Sequence, residues 1–478
     1  MSVPLEHPRT HDPLLPVVDK PPASHWSREL PGYLVRLLAV AAGLFTVVYG
    51  YQLLLSAPDA AGYPSALRPY FPTRYFEYGA VFLTAATLFA RCREWAMAIV
   101  SLACLHNLWD TCPALVPWIA VLVPTLYRLL GPEDRPGPKA TRRFWWGVAI
   151  GIFLGPKIVQ VAFLHNAHDS FLDHNQTVFI GLFLRYSYYY YERRHGLVPA
   201  GRFWEHVAYL LFVPQITGML NVPPGEMSAR WGFDTATLRR GFQSVGWATL
   251  KIPPILYLER RVLPFYGYAR GYDALYAAPF GALWLCLLVS YVYWALLVSA
   301  KFDLMIALFR FFGVNVEDNF RWPLLATSPV ALWRRWNVYN RRLLLKFVYF
   351  PLGGNRTNVY RNIMATFLAS AVLLHTGFFG SPWWGVNPFQ LRDWLLYFAG
   401  QGGIVCTAYW WLQRPFWERV PAGAVPPLRM LGWGITLASS AWLHVLPLAA
   451  GEFLNAPNPP IEAFWQRLAL MARALGWP

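Results

Sequence analysis

The sequence predicts an all-α, polytopic integral membrane protein, and three observations lead there. Of the 478 residues, 56% are hydrophobic and only 14% are charged, too few to cover the surface of a soluble chain of this length. Apolar runs recur at the length, about 20 residues, that a helix needs to cross the roughly 30 Å hydrocarbon core. Those runs lack the alternation of barrel strands. In lipid the backbone must then satisfy its own hydrogen bonds, which leaves helices.

Taken in order, residues 1–29 are polar and hold Pro4, Pro8, Pro13, Pro16, Pro21 and Pro22, with no basic-then-apolar signal segment. They are expected to form a disordered cytoplasmic tail, followed by a single membrane domain over 30–478. Apolar runs at 33–56, 75–90, 95–109, 113–130, 144–164 and 177–191 read as the first six spans. With the N-terminus cytoplasmic, the returning loops carry Arg91 and Arg93, then Arg135 to Arg143, then Arg193 and Arg194. The opposite loop, 165–175, has no Lys or Arg. This is the positive-inside pattern. Further runs lie at 204–220, 247–266, 278–312, 363–379, 394–412 and 430–448. Pro253-Pro254 is expected to break a straight helix, and 222–240 reads as loop. In all, roughly eleven crossings are expected.

The net charge of +16 is assigned to loops facing an anionic leaflet, not to nucleic acid. The five cysteines have no metal-ligand spacing and read as small packing residues. Lys301 and Asp303 read as a buried pair or as a helix end. His444 reads as a packed, hydrogen-bonded core residue. Five tyrosines between Tyr186 and Tyr191 read as an interfacial aromatic belt before a sugar-stacking platform. His165, His168, Asp169, Asp173 and His174 are of metal-binding type, but a polar mouth for a hydroxylated acceptor is the preferred reading, and no metal is expected.

The most patterned stretch runs from Trp333 to His375. It holds Trp333-Arg334-Arg335-Trp336-Asn337, then Tyr349-Phe350-Pro351-Leu352-Gly353-Gly354-Asn355-Arg356, then His375 inside the apolar run 363–379. An ionisable side chain within a spanning run is expensive and marks a candidate functional site. Burial disfavours imidazolium, which leaves His375 neutral and able to accept a proton. Asn337 cannot titrate, but its amide can orient His375 or donate to a carbonyl oxygen. Two glycines mark a tight turn. Arg334, Arg335, Arg341, Arg342, Lys346 and Arg356 place six cations in 23 residues, either as positive-inside anchors or as a landing site for an anionic donor.

Trp333-Arg-Arg-Trp, then Pro351-Leu-Gly-Gly-Asn-Arg, then an apolar segment with a histidine resembles the membrane-bound O-acyltransferase family. Asn319-Phe320 and Ala326-Thr327-Ser328-Pro329 are similar to the lead-in of its bacterial polysaccharide O-acetylation branch. The resemblance covers roughly 182–379, and 319–356 is its specific part. It implies a central tunnel with re-entrant or interfacial helices. It implies transfer of an acyl group, here acetyl, from a cytoplasmic thioester to an extracytoplasmic polysaccharide or glycan hydroxyl. The donor would be acyl-coenzyme A or an acyl carrier protein, with no tightly bound cofactor and no metal.

The resemblance makes His375 and Asn337 the catalytic pair. It places Trp333, Arg334, Arg335, Trp336, Arg342, Tyr349, Pro351, Gly353, Gly354, Asn355 and Arg356 at the donor path. The partners it implies are the lipid bilayer, the donor, the hydroxylated acceptor and an accessory acyltransferase or carrier; the location is a bacterial inner membrane. The branch normally has histidine and serine where this chain has Asn337 and Tyr339. That departure favours, as the alternative acceptor, a lipid or small natural-product hydroxyl. Rivals of another class are a transporter, which would show paired halves with interrupted helices, and a non-catalytic scaffold.

Overall fold

The computed structural model describes residues 26–51, 74–89, 92–111, 113–133, 135–154, 170–213, 220–229, 231–262, 278–375, 388–416, 420–448 and 461–477. Every regular element among them is helical; the one strand-like contact is an isolated antiparallel bridge between Trp231 and Val314. The helices are α1 (Trp26–Phe45), α2 (Tyr75–Phe89), α3 (Arg93–Thr111), α4 (Val116–Leu130), α5 (Pro138–Val148), α6 (Ser170–Arg194), α7 (Phe203–Leu210) and α8 (Pro224–Ala229). Then follow α9 (Thr235–Tyr257), α10 (Phe280–Phe311), α11 (Pro329–Arg335), α12 (Val338–Leu344), α13 (Val359–Ser370), α14 (Pro388–Leu412), α15 (Val425–Leu443), α16 (Val445–Leu448) and α17 (Ile461–Ala474).

The expected all-helical architecture is present. Two helices among the described residues are long and apolar enough to cross a membrane, Pro31–Gly50 with 20 residues and Phe280–Phe311 with 32. The other apolar runs form helices that are shorter, interrupted or less apolar; α14 has 25 residues but carries Arg392, Asp393 and Gln401. α4 has 15 residues, about 22 Å at 1.5 Å per residue, and the run at 144–164 passes from α5 into a π-helical turn at Ala149–Leu154. The tail at 1–25, the histidines at 165 and 168 and the far end of the run after His375 lie outside the described residues.

α10 organises the packing. Leu283, Cys286, Leu287 and Tyr291 in its first half join a core with Trp394, Tyr397 and Phe398 of α14 and Leu437 and Ala441 of α15. Leu297, Leu304, Leu308 and Phe309 in its second half join a larger core with α1 to α4, α6, α7 and α9. The longest helix–helix contact is between α9 and α10. Both sides of the molecule are therefore built on one apolar rod, and close van der Waals packing along its length holds them together.

Four local expectations are corrected. Residues 222–240 are not all loop: α8 forms there, and α9 begins at Thr235, capped by Asp234, which accepts from the Thr237 N–H at 2.5 Å. Pro253 and Pro254 do not end α9; they lie near its last turn and the helix runs to Tyr257. Lys301 is exposed and does not pair with Asp303; Asp303 meets Lys251 of α9 at 2.5 Å, and Lys251 also donates to Ser299 at 2.7 Å. Residues 299 and 303 lie one turn apart on the face of α10 toward α9, whereas 301 points elsewhere. Finally, Tyr186, Tyr188 and Tyr189 do not form an outward aromatic belt; all three are buried, against Phe144, Phe347 and His206.

The described cysteines Cys92, Cys104, Cys286 and Cys406 are free thiols, with Cys104 and Cys286 buried as packing residues.

Candidate functional site

The motif segment begins where α10 ends. Arg310, in the last turn of α10, is buried and holds the following loop: it donates to the Val316 carbonyl at 2.7 Å, pairs with Asp318 at 3.0 Å and reaches Ser244 of α9 at 2.5 Å. Ser328 caps α11, its hydroxyl accepting from the Ala331 N–H at 3.1 Å, and Pro329 opens that helix with its preset φ. α11 is only seven residues long and carries Trp333, Arg334 and Arg335.

Trp336 and Asn337 join α11 to α12. Asn337 has φ 43° and ψ 63°, the left-handed region, which asparagine tolerates better than most residues. Its Oδ1 accepts from the Asn340 N–H at 3.4 Å, capping α12, and from the Nδ2 of Asn319 at 3.1 Å. The two donors fix which side of the amide is oxygen and leave Nδ2 as the end with no bond among the described residues. Asn319 is fully buried, and its own Oδ1 accepts from the Tyr339 N–H at 3.0 Å while its carbonyl accepts from Val338 N–H at 2.9 Å. Sequence reading assigned Asn319 only to a lead-in; it is the clamp on Asn337.

Tyr339, two residues on, is fully buried and donates to Glu226 of α8 at 2.7 Å, while its oxygen accepts from the Glu317 N–H at 3.0 Å. Burial, with the Glu226 carboxylate beside it, pushes this phenol well above the ordinary tyrosine value, so it stays a neutral donor. Arg342 reaches Glu317 at 2.6 Å and Glu226 at 3.3 Å. Burial pulls its guanidinium down, but Glu317 and then Glu226 raise it more, leaving it above the ordinary arginine value. Lys346 meets the buried Glu192 at 3.4 Å, and Glu192 also accepts from the Gly225 N–H at 2.8 Å. Of the six cations in the stretch, Arg342 thus holds α8 against α12, and Lys346 holds α6 against the turn that follows it. Arg334, Arg335 and Arg356 carry no carboxylate partner among the described residues.

Beyond α12 a π-helical turn, Leu345–Tyr349, leads into the glycine turn. Gly353 has φ 100° and Gly354 φ 57°, angles an L side chain resists. Asn362 of α13, fully buried, locks the turn: its Nδ2 donates to the Gly354 carbonyl at 2.8 Å and to the Thr357 carbonyl at 3.1 Å. Tyr349 donates to the side chain of Asn355 across the same turn. Pro351, Asn355 and Arg356 are exposed. Asn362 stands outside the sequence expectations, because Arg361, Thr366 and Ser370 share its helix and no local pattern singles it out.

α13 continues into a second π-helical turn, Ala371–His375, of which His375 is the last residue. Its backbone is described and its side chain is not. Such turns widen a helix and recur at functional positions. Trp333 stands edge-on to Phe367 of α13, with centroids 5.0 Å apart and planes at 90°, and donates to Gln401 of α14 at 3.3 Å. Phe367 lies eight residues, about 12 Å, before His375 along that helix. Trp336 stacks on Trp294 of α10 at 4.8 Å, and Trp294 lies 4.3 Å from the ring of His444. His444 is packed as expected, yet neither ring nitrogen has a hydrogen-bond partner among the described residues, contrary to the expectation of a bonded histidine. The rings around it, Tyr291, Trp294 and Tyr397, meet it with their faces and edges. A cleft of about 250 Å³ beside the motif is lined by Arg240, Arg310 and Arg321 together with Glu317 and Asp318.

A helical bundle with apolar membrane-length rods, a tryptophan-arginine box and a glycine turn locked onto a histidine-bearing helix defines the class. The chain resembles the membrane-bound O-acyltransferase family in its bacterial polysaccharide O-acetylation branch. It is 38% identical over 73 residues to the peptidoglycan O-acetyltransferase of Helicobacter pylori, covering 15% of this chain and 14% of that protein. It is 33% identical over 92 residues to the probable alginate O-acetylase of Pseudomonas putida, covering 19% of this chain and 17% of the relative. The corresponding Pseudomonas aeruginosa protein is 32% identical over 92 residues, with 19% and 16% covered. The matches thus span less than one fifth of those relatives. No protein-family model matches the chain.

Proposed function

We propose that this protein is a membrane-embedded O-acyltransferase that moves an acetyl group from a cytoplasmic thioester to a hydroxyl of an extracytoplasmic glycan. The observation that carries the reading is the packing of Trp333 onto Phe367, which ties the Trp-Arg-Arg-Trp box to the helix ending at His375. The similarity to proteins named for O-acetylation of peptidoglycan and alginate supports the chemistry and the acceptor class.

In this reading His375 takes the proton of the acceptor hydroxyl as its oxygen attacks the thioester carbonyl. The tetrahedral oxyanion collapses with loss of the thiolate, which takes the proton from the imidazolium. Asn337, fixed through Oδ1, presents Nδ2 as a donor that positions or polarises the reacting groups. Arg334, Arg335 and Arg356 meet the anionic donor, with Tyr349, Pro351, Gly353, Gly354 and Asn355 along its path. Arg342 acts at one remove, through Glu226 and Glu317. The bundle crosses the inner membrane about eleven times with its N-terminus in the cytoplasm.

The test is acetyl transfer in proteoliposomes, with peptidoglycan fragments and alginate as acceptors and free thiol as the readout. His375→Ala should express and fold while transfer falls by about 10²–10⁴-fold, the worth of a positioned base. Retained transfer in that variant removes the assignment. Movement of glycan across the bilayer without thioester consumption would replace the enzyme by a transporter.

A further inference from the structure

The exposed side of α9 carries one continuous stripe, Arg240, Gln243, Trp247, Leu250, Pro254 and Tyr257, at alternating spacings of three and four residues. The opposite side, with Gly241, Ser244, Val245, Ala248 and Ile252, is buried. The stripe changes character along its length. Arg240, Gln243 and Trp247 line the cleft of about 250 Å³ beside the motif, whereas Leu250 and Tyr257 lie past it, 64% and 63% exposed. Trp247 stands at the junction, edge-on to the half-exposed Trp322 with centroids 5.3 Å apart. Indoles favour the depth at which headgroups meet hydrocarbon. Within the lining three guanidiniums, Arg240, Arg310 and Arg321, face two carboxylates. Asp318 is matched by Arg310 at 3.0 Å, and Glu317 is shared by Arg321 and Arg342, each at 2.6 Å. Arg240 is the surplus cation, with no carboxylate partner among the described residues.

We propose that cleft and stripe together bind one anionic phospholipid, its phosphate at Arg240 and Gln243 and an acyl chain along Trp247, Leu250 and Tyr257. The anion follows from the unmatched guanidinium, which forms its strongest hydrogen bonds to charged oxygens. The lipid follows from size and continuity. Pockets that enclose a whole drug-sized ligand run to about 300–1,000 Å³, so this cleft holds a polar headgroup and leaves the rest outside. The surface onto which it opens along α9 is apolar. The leaflet follows from the contacts around it. Glu192 accepts from the Gly225 N–H, and Tyr339 joins Glu226 to Glu317, so the cleft lies at the same end of the bundle as Arg193 and Arg194. Loop charge assigns that end to the cytoplasm, where the leaflet is anionic. The inference rests on placement in a membrane and not on the acyl-transfer reading. Its wall nonetheless adjoins the motif, because the segment holding Val316, Glu317 and Asp318 runs into Asn319, the clamp on Asn337.

The test is native mass spectrometry of the full chain in non-ionic detergent, titrated with phosphatidylglycerol or with phosphatidylcholine of the same chains. Phosphatidylglycerol should fill one site at least about tenfold more tightly, the worth of one hydrogen bond to a charged group. Arg240→Gln should bring the two lipids to within about twofold of each other. Arg239→Gln, exposed and next in sequence but outside the cleft, should keep the preference. Both positions are exposed, so neither change disturbs the core, and the wild-type comparison stands without them. Glycerophosphoglycerol, the same headgroup without chains, should compete at least about tenfold more weakly than the lipid, because it cannot cover the apolar stripe. Equal affinity for the two lipids, or equal loss in both arginine variants, overturns the site. Competition by the chainless headgroup as strong as that of the lipid overturns the lipid in favour of a free phosphate ester.

Discussion

Asn337 is the position at which chemistry and architecture are hardest to separate, and substitution by alanine and by glycine separates them. Alanine removes the cap on α12, worth about 1 kcal/mol, and places a Cβ without a local hydrogen bond in the left-handed region, costing a further 1–2 kcal/mol. It also leaves the buried Nδ2 of Asn319 unpaired, at about 1 kcal/mol or more. Asn337→Ala should therefore lose roughly 3–4 kcal/mol. Glycine adopts φ 43° without strain and caps nearly as well, so Asn337→Gly should lose only about 1–2 kcal/mol, chiefly through Asn319. Denaturant unfolding in detergent, followed by tryptophan fluorescence, measures the difference. Acetyl transfer by the glycine variant should fall by about 10–100-fold, less than for His375→Ala, because an amide can only position or polarise. If glycine is as destabilising as alanine, the left-handed cap is not what Asn337 supplies. If the glycine variant is as inactive as His375→Ala, the ranking of the two residues is wrong.

Other outcomes follow from neighbouring contacts. A double-mutant cycle with Tyr339→Phe and Glu226→Gln should give a coupling energy of about 1.5–3 kcal/mol, the range for a hydrogen bond to a charged group; additivity would contradict the 2.7 Å contact. Lys251→Met should destabilise by about 3–5 kcal/mol because it strands a buried carboxylate, and Lys251→Met with Asp303→Leu should recover most of that loss in unfolding midpoints. Gly353→Ala should cost at least about 1–2 kcal/mol, because φ is 100° and the new methyl would meet the Thr357 side chain; limited proteolysis should then cut first at 351–357.

The sequence made the helical class and the tight glycine turn legible for physical reasons. Apolar length and the scarcity of charge report helices in lipid directly, and Trp333, Gly353, Gly354 and His375 are residue types whose cost or geometry marks them wherever they occur. Partnership across the fold was not legible. Lys301 and Lys251 are equally apolar in context, and only the approach of α9 to α10 decides which of them faces Asp303. The tyrosines at 186–189 have the composition of an interfacial belt, and their burial depends on α5, α7 and the Phe347 ring coming to meet them. Asn319 and Asn362 resemble ordinary loop or helix asparagines until their carbonyl and amide partners are in place. Tyr339, where the related branch has serine, is explained by Glu226, thirteen residues past Val213 in a segment no local pattern connects to it.

The Lys251–Asp303 contact also bears on how the chain is made. Either residue carried alone into hydrocarbon costs about 2.5–3.5 kcal/mol at the bilayer centre, and paired they neutralise one another. The two partners stand 52 residues apart in sequence, so the ammonium has no carboxylate to meet until α10 has been made and laid along α9. The pairing of these two helices is thereby written into one contact that neither helix can complete alone.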